Sequence, residues 1–150
     1  MTDLRELYQE LILDHNKRPR NRRKLESANR RCDGYNPLCG DRVTIFVKVN
    51  DDVVEDVSFE GSGCAISTAS ASLMTESVKG KSLAEARAVF ERFHDMVTSE
   101  QSTGPPDASL GKLQVFSGVV RYPARVKCAT LAWHTLNAAL ASKIETVSTE

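Results

Sequence analysis

Residues 43–59, VTIFVKVNDDVVEDVSF, alternate apolar and polar side chains on both sides of a short polar segment. Such alternation is typical of strands that bury one face of a sheet. Asn50-Asp51-Asp52 separates the two halves, and these residue types favour turns. The stretch therefore predicts a β-hairpin. Its predicted buried face consists of Val43, Ile45, Val47, Val49, Val53, Val57 and Phe59.

Helical periodicity appears on both sides of this hairpin. A stripe from Leu4 to Ile12 predicts an amphipathic first helix that Pro19 ends. A run of small residues from Ala65 to Thr75 predicts a second helix, ended by Gly80 and packed closely on the sheet. We expect His15, near the end of the first helix, to be a cation that suits the helix macrodipole rather than a metal ligand.

Two further helices are predicted towards the C-terminus. Ser82 and Glu85 have the spacing of a capping box and precede apolar residues at helical spacing, among which His94 is predicted to lie on the surface. Pro123 suits the first turn of a last helix. Its predicted buried stripe consists of Val126, Ala129, Thr130, Trp133, Leu136 and Leu140.

The intervening segments give weaker signals. A short edge strand is predicted near Ala28–Cys32, a short helix around Leu110–Phe116, and a mobile polar loop at residues 99–107. The order of elements, one helix, a small antiparallel sheet and then several helices, predicts an α+β fold with helices on one sheet face. At 150 residues, we expect a single domain over residues 1–150.

Charge and composition exclude several classes of protein. Twenty basic residues balance twenty acidic ones, which gives no reason to expect nucleic acid or a membrane as a partner. The basic run Arg18–Lys24 is predicted to be a solvated connection rather than a docking patch. No apolar segment approaches the roughly 18 residues of a membrane span, and the charged N-terminus lacks a secretory signal. We therefore expect a cytoplasmic protein, whose four cysteines are ligands, nucleophiles or core residues rather than disulfide partners.

Three cysteines and one aspartate stand at positions that suit a soft-metal site. Cys39 and Asp41 flank Gly40 between a turn signal and a strand, and Cys64 and Cys128 fall where helices begin. A helix N-terminus favours a thiolate, the form that binds metals. Three thiolates and one carboxylate make a complete tetrahedral set for Zn²⁺.

The fourth cysteine, Cys32, could replace one of the ligands, resolve a persulfide or have no role in this chemistry, and we favour the last. The absence of a CxxC pair excludes a zinc ribbon or finger recognised by a local motif. From the residues alone, each helical cysteine could equally be a structural core residue.

Three segments carry a resemblance to a known family. They are NPLCGD at residues 36–41, GSGCAIS at residues 61–67 and RVKCATLAW at residues 125–133. Together they resemble the SufU branch of the IscU-like iron–sulfur cluster assembly proteins, and the similarity extends over nearly the whole chain. Lys127 favours this branch, because IscU-type proteins carry histidine immediately before the third cysteine. The stretch from about Thr98 to Phe116 corresponds to the SufU-type insertion.

The resemblance implies a SufE/IscU-like fold with a three-stranded antiparallel sheet. It also implies that Cys39, Asp41, Cys64 and Cys128 bind zinc, that Cys39 accepts sulfur and that Arg125 supports the site. The activity implied is that of a zinc-dependent sulfurtransferase. It would take persulfide sulfur from a SufS-type cysteine desulfurase, and the downstream recipient would be a SufBCD-type scaffold.

Two alternatives stay open at this point. Cysteine thiolates also bind iron–sulfur clusters, so the chain could be a scaffold on which a transient cluster is built, although Lys127 in place of histidine counts against this. A structural zinc site in an adaptor protein is the third reading, and an aspartate ligand beside a flexible glycine argues mildly against it. If Cys39 is a ligand, its position on a turn hinged at Gly40 makes it the ligand best able to leave the metal.

Overall fold

The computed structural model describes residues 4–37, 40–98, 108–141 and 147–148, with side chains omitted for residues 4–7, 108–109, 120–121 and 147–148. Four α-helices, one 3₁₀ segment and four strands are present in this part of the chain. In chain order they are α1 (Leu4–Lys17), β1 (Arg30–Asn36), β2 (Asp41–Asn50), β3 (Val53–Ser62), α2 (Ala65–Val78), α3 (Leu83–Thr98), the 3₁₀ segment (Ala108–Arg121), α4 (Pro123–Leu140) and β4 (Val147–Ser148). None of the described helices has both the length and the apolar character needed to cross a bilayer.

The sheet has the order β3-β2-β1-β4, and its first three strands are antiparallel. The α+β class and the three-stranded antiparallel sheet are thus confirmed. The short β4 adds a parallel pair alongside β1, so β1 is an internal strand here rather than the predicted edge strand. It also runs from Arg30 to Asn36 instead of Ala28–Cys32, because glycine and polar residues within it masked its alternation.

The predicted hairpin is present, with one error in its apolar face. Asp51 and Asp52 both have positive φ, as a tight two-residue hairpin turn requires, and a register shift lies between Lys48 and Val49. After this shift Val54 is fully buried, whereas Val53 is 37% exposed. The prediction that Val53 faces the core is therefore wrong, because the bulge shifts by one position which residues of β3 point towards the core.

Helix α4 is the centre of the core. It packs on β1, β2, α2 and α3, which explains why its buried residues extend well beyond a single stripe. Pro123 occupies its first turn, as predicted. Gly34 of β1 lets α4 approach, since a Cβ at this position would overlap the hydroxyl of Thr135. Close contact between β1 and α4 is what places residues at the end of β1 next to the start of α4.

Helices α2 (Ala65–Val78) and α3 (Leu83–Thr98) begin and end close to where the sequence predicts. The capping box is present, since Glu85 N–H donates to Ser82 Oγ and Ser82 N–H donates to Glu85 Oε1. Helix α2 packs on α1 and α4 as well as on β3. His94 of α3 is half-buried rather than a simple surface residue, because its ring packs against those of Phe90 and His134.

The basic segment after α1 is bound to the body of the protein. Arg20 pairs with Asp14 at 2.7 Å, and Arg23 pairs with Asp56 on the outer face of β3 at 3.0 Å. The segment therefore lies along β3 at the edge of the sheet, where Arg22 forms a parallel bridge with Phe59, and the side chains of Arg22, Arg23 and Lys24 are exposed to solvent. The mobile loop predicted at residues 99–107 lies outside the described residues.

His15 is not the exposed cation that its position near a helix end predicts. Its side chain is fully buried, and Nδ1 lies 2.6 Å from Ser72 Oγ. Burial lowers the pKa of His15, the charge of Arg20 lowers it further, and the opposing charge of Glu76 does not reverse this. The neutral imidazole therefore serves as a buried link between α1 and α2.

We expect this burial to make the protein less stable in mild acid. The unfolded chain binds a proton on His15 near pH 6.5, and the folded state does so only at lower pH, so the free energy of unfolding falls as pH drops through about 6.5. The substitution His15→Asn removes this titration and keeps a polar group beside Ser72. Urea unfolding in excess chelator at pH 7.5 and 5.5 should show a smaller loss of stability in the variant. An equal loss in both proteins would contradict the assignment.

Candidate metal centre

Asp41 is the first residue of β2 and one of the most buried charged groups described, with 1% of its surface exposed. Its Oδ1 accepts a hydrogen bond of 2.9 Å from the backbone N–H of Cys64. Among the residues that the structure describes, no lysine or arginine forms an ion pair with it. A buried carboxylate needs a compensating positive charge, which a metal ion would supply.

Cys64 is the N-cap of α2, as its position after a glycine-rich turn predicts. Its Sγ accepts a hydrogen bond of 3.4 Å from the backbone N–H of Ser67, and it lies 3.8 Å from Asp41 Oδ2. Gly63 makes this approach feasible, because a Cβ there would lie 2.8 Å from Asp41 Oδ1 and 3.2 Å from Ser67 Oγ. The sulfur therefore receives a helix N–H donor on one side and faces the carboxylate on the other.

Cys128 lies in the second turn of α4 and has 4% of its surface exposed. The side-chain Nδ2 of Asn36, fully buried at the end of β1, donates to Cys128 Sγ across 3.8 Å. Asn36 and Asp41 are directly paired in the β1–β2 ladder. This pair of residues therefore supplies one candidate ligand, Asp41, and a hydrogen bond to another, Cys128. Sequence patterns gave no signal for Asn36 beyond its turn-forming character.

The candidate ligand atoms of Asp41, Cys64 and Cys128 all lie within 4.8 Å of one another. Ligands about 2.3 Å from a tetrahedral zinc ion stand about 3.8 Å apart, so this spacing is close to a bound arrangement. Two thiols and a carboxylate also match the donor types that zinc takes in proteins. The residues present therefore fit a zinc ion, with Cys64 as the candidate ligand most open to solvent.

The structure gives less information on the other two predicted site residues, Cys39 and Arg125. Cys39 lies outside the described residues, in the connection between Asn36 and Asp41, so its role stays a prediction. That connection closes tightly, since Gly40 N–H donates to Asn36 O at 2.8 Å, and Gly40 has a φ of 74°. Arg125 is exposed and lies one turn before Cys128 on α4, where i and i+3 residues are neighbours.

Cys32 is set apart from the three clustered residues. It lies in the middle of β1 with 3% of its surface exposed and belongs to the hydrophobic core. It is not in the group of candidate metal ligands found among the described residues. Whether Cys32 takes part in the chemistry of the site stays a prediction.

Comparison with known proteins places this arrangement in a family context. The NifU-like N terminal domain family matches residues 7–129. The zinc-dependent sulfurtransferase SufU of Bacillus subtilis is 42% identical over 137 residues, which cover 91% of this chain and 91% of that protein. The iron–sulfur cluster assembly scaffold protein IscU of Streptococcus pyogenes is 40% identical over 140 residues, which cover 93% of this chain and 86% of that protein.

Solved structures show the same fold. A crystal structure of an iron–sulfur cluster assembly scaffold protein for the SUF system, from Fervidobacterium islandicum, superimposes with a TM-score of 0.81 at 37% identity. The match covers 92% of this chain and 99% of that one. The N-terminal part of a NifU-like protein from Brucella abortus gives a TM-score of 0.80 at 26% identity, covering 93% and 95% of the two chains.

Proposed function

The chain belongs to the NifU-like N-terminal domain family of iron–sulfur cluster assembly proteins, and from this membership we propose that it is a zinc-dependent sulfurtransferase of the SufU type. In this proposal it acts in the cytoplasm and accepts persulfide sulfur from a SufS-type cysteine desulfurase. The observation that carries the proposal is the convergence of Asp41, Cys64 and Cys128 within 4.8 Å at the base of the segment that contains Cys39.

Covalent connection keeps Cys39 close to this centre. It is two residues from Asp41, and two residues span at most about 7 Å. The Cα atom of Cys39 therefore lies within about 7 Å of that of Asp41, and in this proposal Cys39 would be the fourth ligand of a metal that the other three residues would hold. Zinc, when bound, would keep the cysteine sulfurs as thiolates at neutral pH.

The sulfur transfer proposed is a thiol–disulfide type of exchange. Cys39 Sγ, as a thiolate, attacks the outer sulfur of the donor's persulfide, a bond forms between these two sulfurs, and the donor's own S–S bond breaks. The donor cysteine leaves as a thiolate, and Cys39 now carries the persulfide. Electrons and atoms balance without an added oxidant or reductant.

The other residues have supporting roles in this proposal. Asp41, Cys64 and Cys128 would hold the metal, and the hydrogen bond that each accepts, together with the burial of Asp41 and Cys128, would keep their ligand atoms oriented. Arg125 is exposed one turn before Cys128 on α4, and in this proposal its positive charge would attract an anionic persulfide. A SufBCD-type scaffold is the proposed downstream recipient.

The test combines the purified protein with a SufS-type desulfurase and cysteine. We expect about one zinc per chain, faster alanine release when the protein is added, and a persulfide on Cys39 detected by mass spectrometry of peptides. Cys39→Ala should abolish both the acceleration and the persulfide, whereas Cys32→Ala, the matched control, should retain both. Full stimulation by Cys39→Ala would refute sulfur acceptance by this residue.

A cluster-assembly scaffold is the second candidate function. Relatives of similar identity, from Streptococcus pyogenes and Thermotoga maritima, are named as IscU scaffold proteins. Under this alternative the same thiolates would hold a cluster under construction, since cysteine sulfurs are the usual ligands of such clusters. Purified protein that contains iron and acid-labile sulfide, and that transfers a cluster to an apo-ferredoxin, would favour the scaffold over the sulfurtransferase.

A further inference from the structure

Asn36 connects the end of β1 to one candidate metal ligand. Its side chain is fully buried, and Nδ2 donates to Cys128 Sγ across 3.8 Å. Its backbone oxygen accepts a hydrogen bond of 2.8 Å from Gly40 N–H. Asn36 is therefore in contact with Cys128 through its side chain and with the far end of the Cys39 segment through its backbone.

The surroundings of Asn36 hold this contact in place. Asn36 is paired with Asp41 in the β1–β2 ladder, so its backbone position follows that of a candidate ligand. Two residues earlier on the same face of β1, Gly34 lets Thr135 and Leu131 of α4 come close. Strand and helix are thus packed together on the side of β1 from which Asn36 reaches Cys128.

The two clustered cysteines receive different kinds of donor. Cys64 Sγ accepts a backbone N–H from Ser67 of its own helix, which every residue type except proline would supply. Cys128 accepts a hydrogen bond from a side chain of another element, so the amino acid at position 36 determines whether this particular donor exists. A donated N–H draws electron density from a thiolate sulfur, which orients it as a ligand and makes it a weaker nucleophile.

We propose that Asn36 is a positioning residue that keeps Cys128 as a permanent metal ligand and prevents it from competing with Cys39 as the sulfur acceptor. This inference rests on the proposed function, in which one cysteine of the site takes up sulfur and the others keep the metal. It explains why a carboxamide, rather than an apolar side chain, is buried at the junction of β1, β2 and α4. Asn36 acts through Cys128 and makes no contact with the transferred sulfur in this proposal.

The test uses Asn36→Leu, which has the same branched shape and number of side-chain heavy atoms but no donor, and Asn36→Asp, which replaces Nδ2 by an oxygen acceptor. Asn29→Leu is the matched control, because Asn29 Nδ2 donates to Val49 O far along the strands from Cys128. Circular dichroism identifies the variants that fold. Co²⁺ is then loaded in place of zinc, so that the sulfur-to-metal charge-transfer band reports on the thiolates independently of activity.

We expect that band to move to longer wavelength in both Asn36 variants, and zinc affinity, measured against a chelator, to fall about 10–100-fold. With desulfurase and cysteine, peptide mass spectrometry should find persulfide on Cys39 alone in the unsubstituted protein and on both Cys39 and Cys128 in the Asn36 variants. Asn29→Leu should match the unsubstituted protein in all three measurements.

The outcomes separate this inference from the proposed function. An unchanged band in a folded Asn36 variant overturns the inference, and so does a shifted band with persulfide still confined to Cys39. If the unsubstituted protein forms no persulfide on Cys39, the proposed sulfur acceptance fails. The band position and zinc affinity still decide whether Asn36 orients Cys128.

Discussion

Cys128→Ala is expected to release the metal and to lose the stability that the metal confers, whereas Cys32→Ala should do neither. The two cysteines are an unusually close match: they are 4% and 3% exposed, and both are in contact with the core. They differ in that Cys128 lies with Asp41 and Cys64 in the candidate metal centre. Any difference between the variants therefore reports on the site rather than on loss of a buried sulfur.

The size of the effect follows from the linkage between binding and folding. A ligand that binds only the folded state at 1,000 times its Kd adds about 4 kcal/mol to the free energy of unfolding. For a chain of this length, that corresponds to a rise of roughly 8–16 °C in Tm. A chelator should lower the Tm of the unsubstituted protein and of Cys32→Ala by an amount of this order, and it should leave Cys128→Ala almost unchanged.

Zinc content, measured by elemental analysis after gel filtration, checks the same prediction directly. We expect about one zinc per chain for Cys32→Ala and far less for Cys128→Ala. If Cys128→Ala keeps its zinc and its chelator-sensitive Tm, the metal is held elsewhere. In that case the cluster of Asp41, Cys64 and Cys128 is not the binding site.

The candidate metal centre depends on the sheet because each candidate ligand is fixed by a different element. Asp41 is set by the first pair of the β1–β2 ladder, Cys64 by the start of α2 and Cys128 by the second turn of α4. These elements meet because α4 and α2 pack on the same sheet face and because Gly34 lets α4 approach β1. A site assembled in this way does not exist in the unfolded chain, which is why metal binding and stability are expected to change together.

Short-range sequence patterns predicted those parts of the fold that depend on residues close together in the chain. The hairpin and the capping box of α3 follow from residues within a few positions of each other, and both are confirmed. The grouping of Asp41, Cys64 and Cys128 also follows a local signature, since cysteines at helix starts and an aspartate at a strand entrance suit a metal site, and their role as ligands stays a prediction. The roles of Cys39 and Arg125, and the single-domain organisation, stay predictions.

What the sequence did not predict depends on contacts between distant segments. Val54 rather than Val53 faces the core because β3 carries an extra residue between the pairs Val49–Val54 and Lys48–Asp56. His15 is neutral because it is buried against α2, where its hydrogen-bonding partner Ser72 lies 57 residues away. Asn36 has a local role as a turn residue, which hid its contact with Cys128, 92 positions later. For His15 and Asn36 the relevant neighbour is too far along the chain for periodicity or turn chemistry to identify it, whereas the bulge in β3 is an irregularity that simple alternation does not reveal.

Gly63→Ala is expected to weaken metal binding strongly, although it replaces none of the candidate ligands. An added Cβ would lie 2.8 Å from Asp41 Oδ1 and 3.1 Å from its Cγ, closer than side-chain carbons normally approach. Asp41 has little room to move away, because it is buried and its Oδ1 accepts the N–H of Cys64. The substitution therefore forces the carboxylate off its position or displaces the start of α2.

Loss of a group that orients a ligand typically costs about 10–100-fold in metal affinity, and we expect Gly63→Ala to fall in or above this range. Competition with a chromophoric zinc chelator measures the change. Gly118→Ala is the matched control, since a Cβ at Gly118 would meet no heavy atom within 4 Å. Both variants should fold, because the overlap at Gly63 is confined to the metal centre. Equal zinc affinity in the two variants would mean that Asp41 does not bind the metal, and the ligand set would reduce to the cysteines.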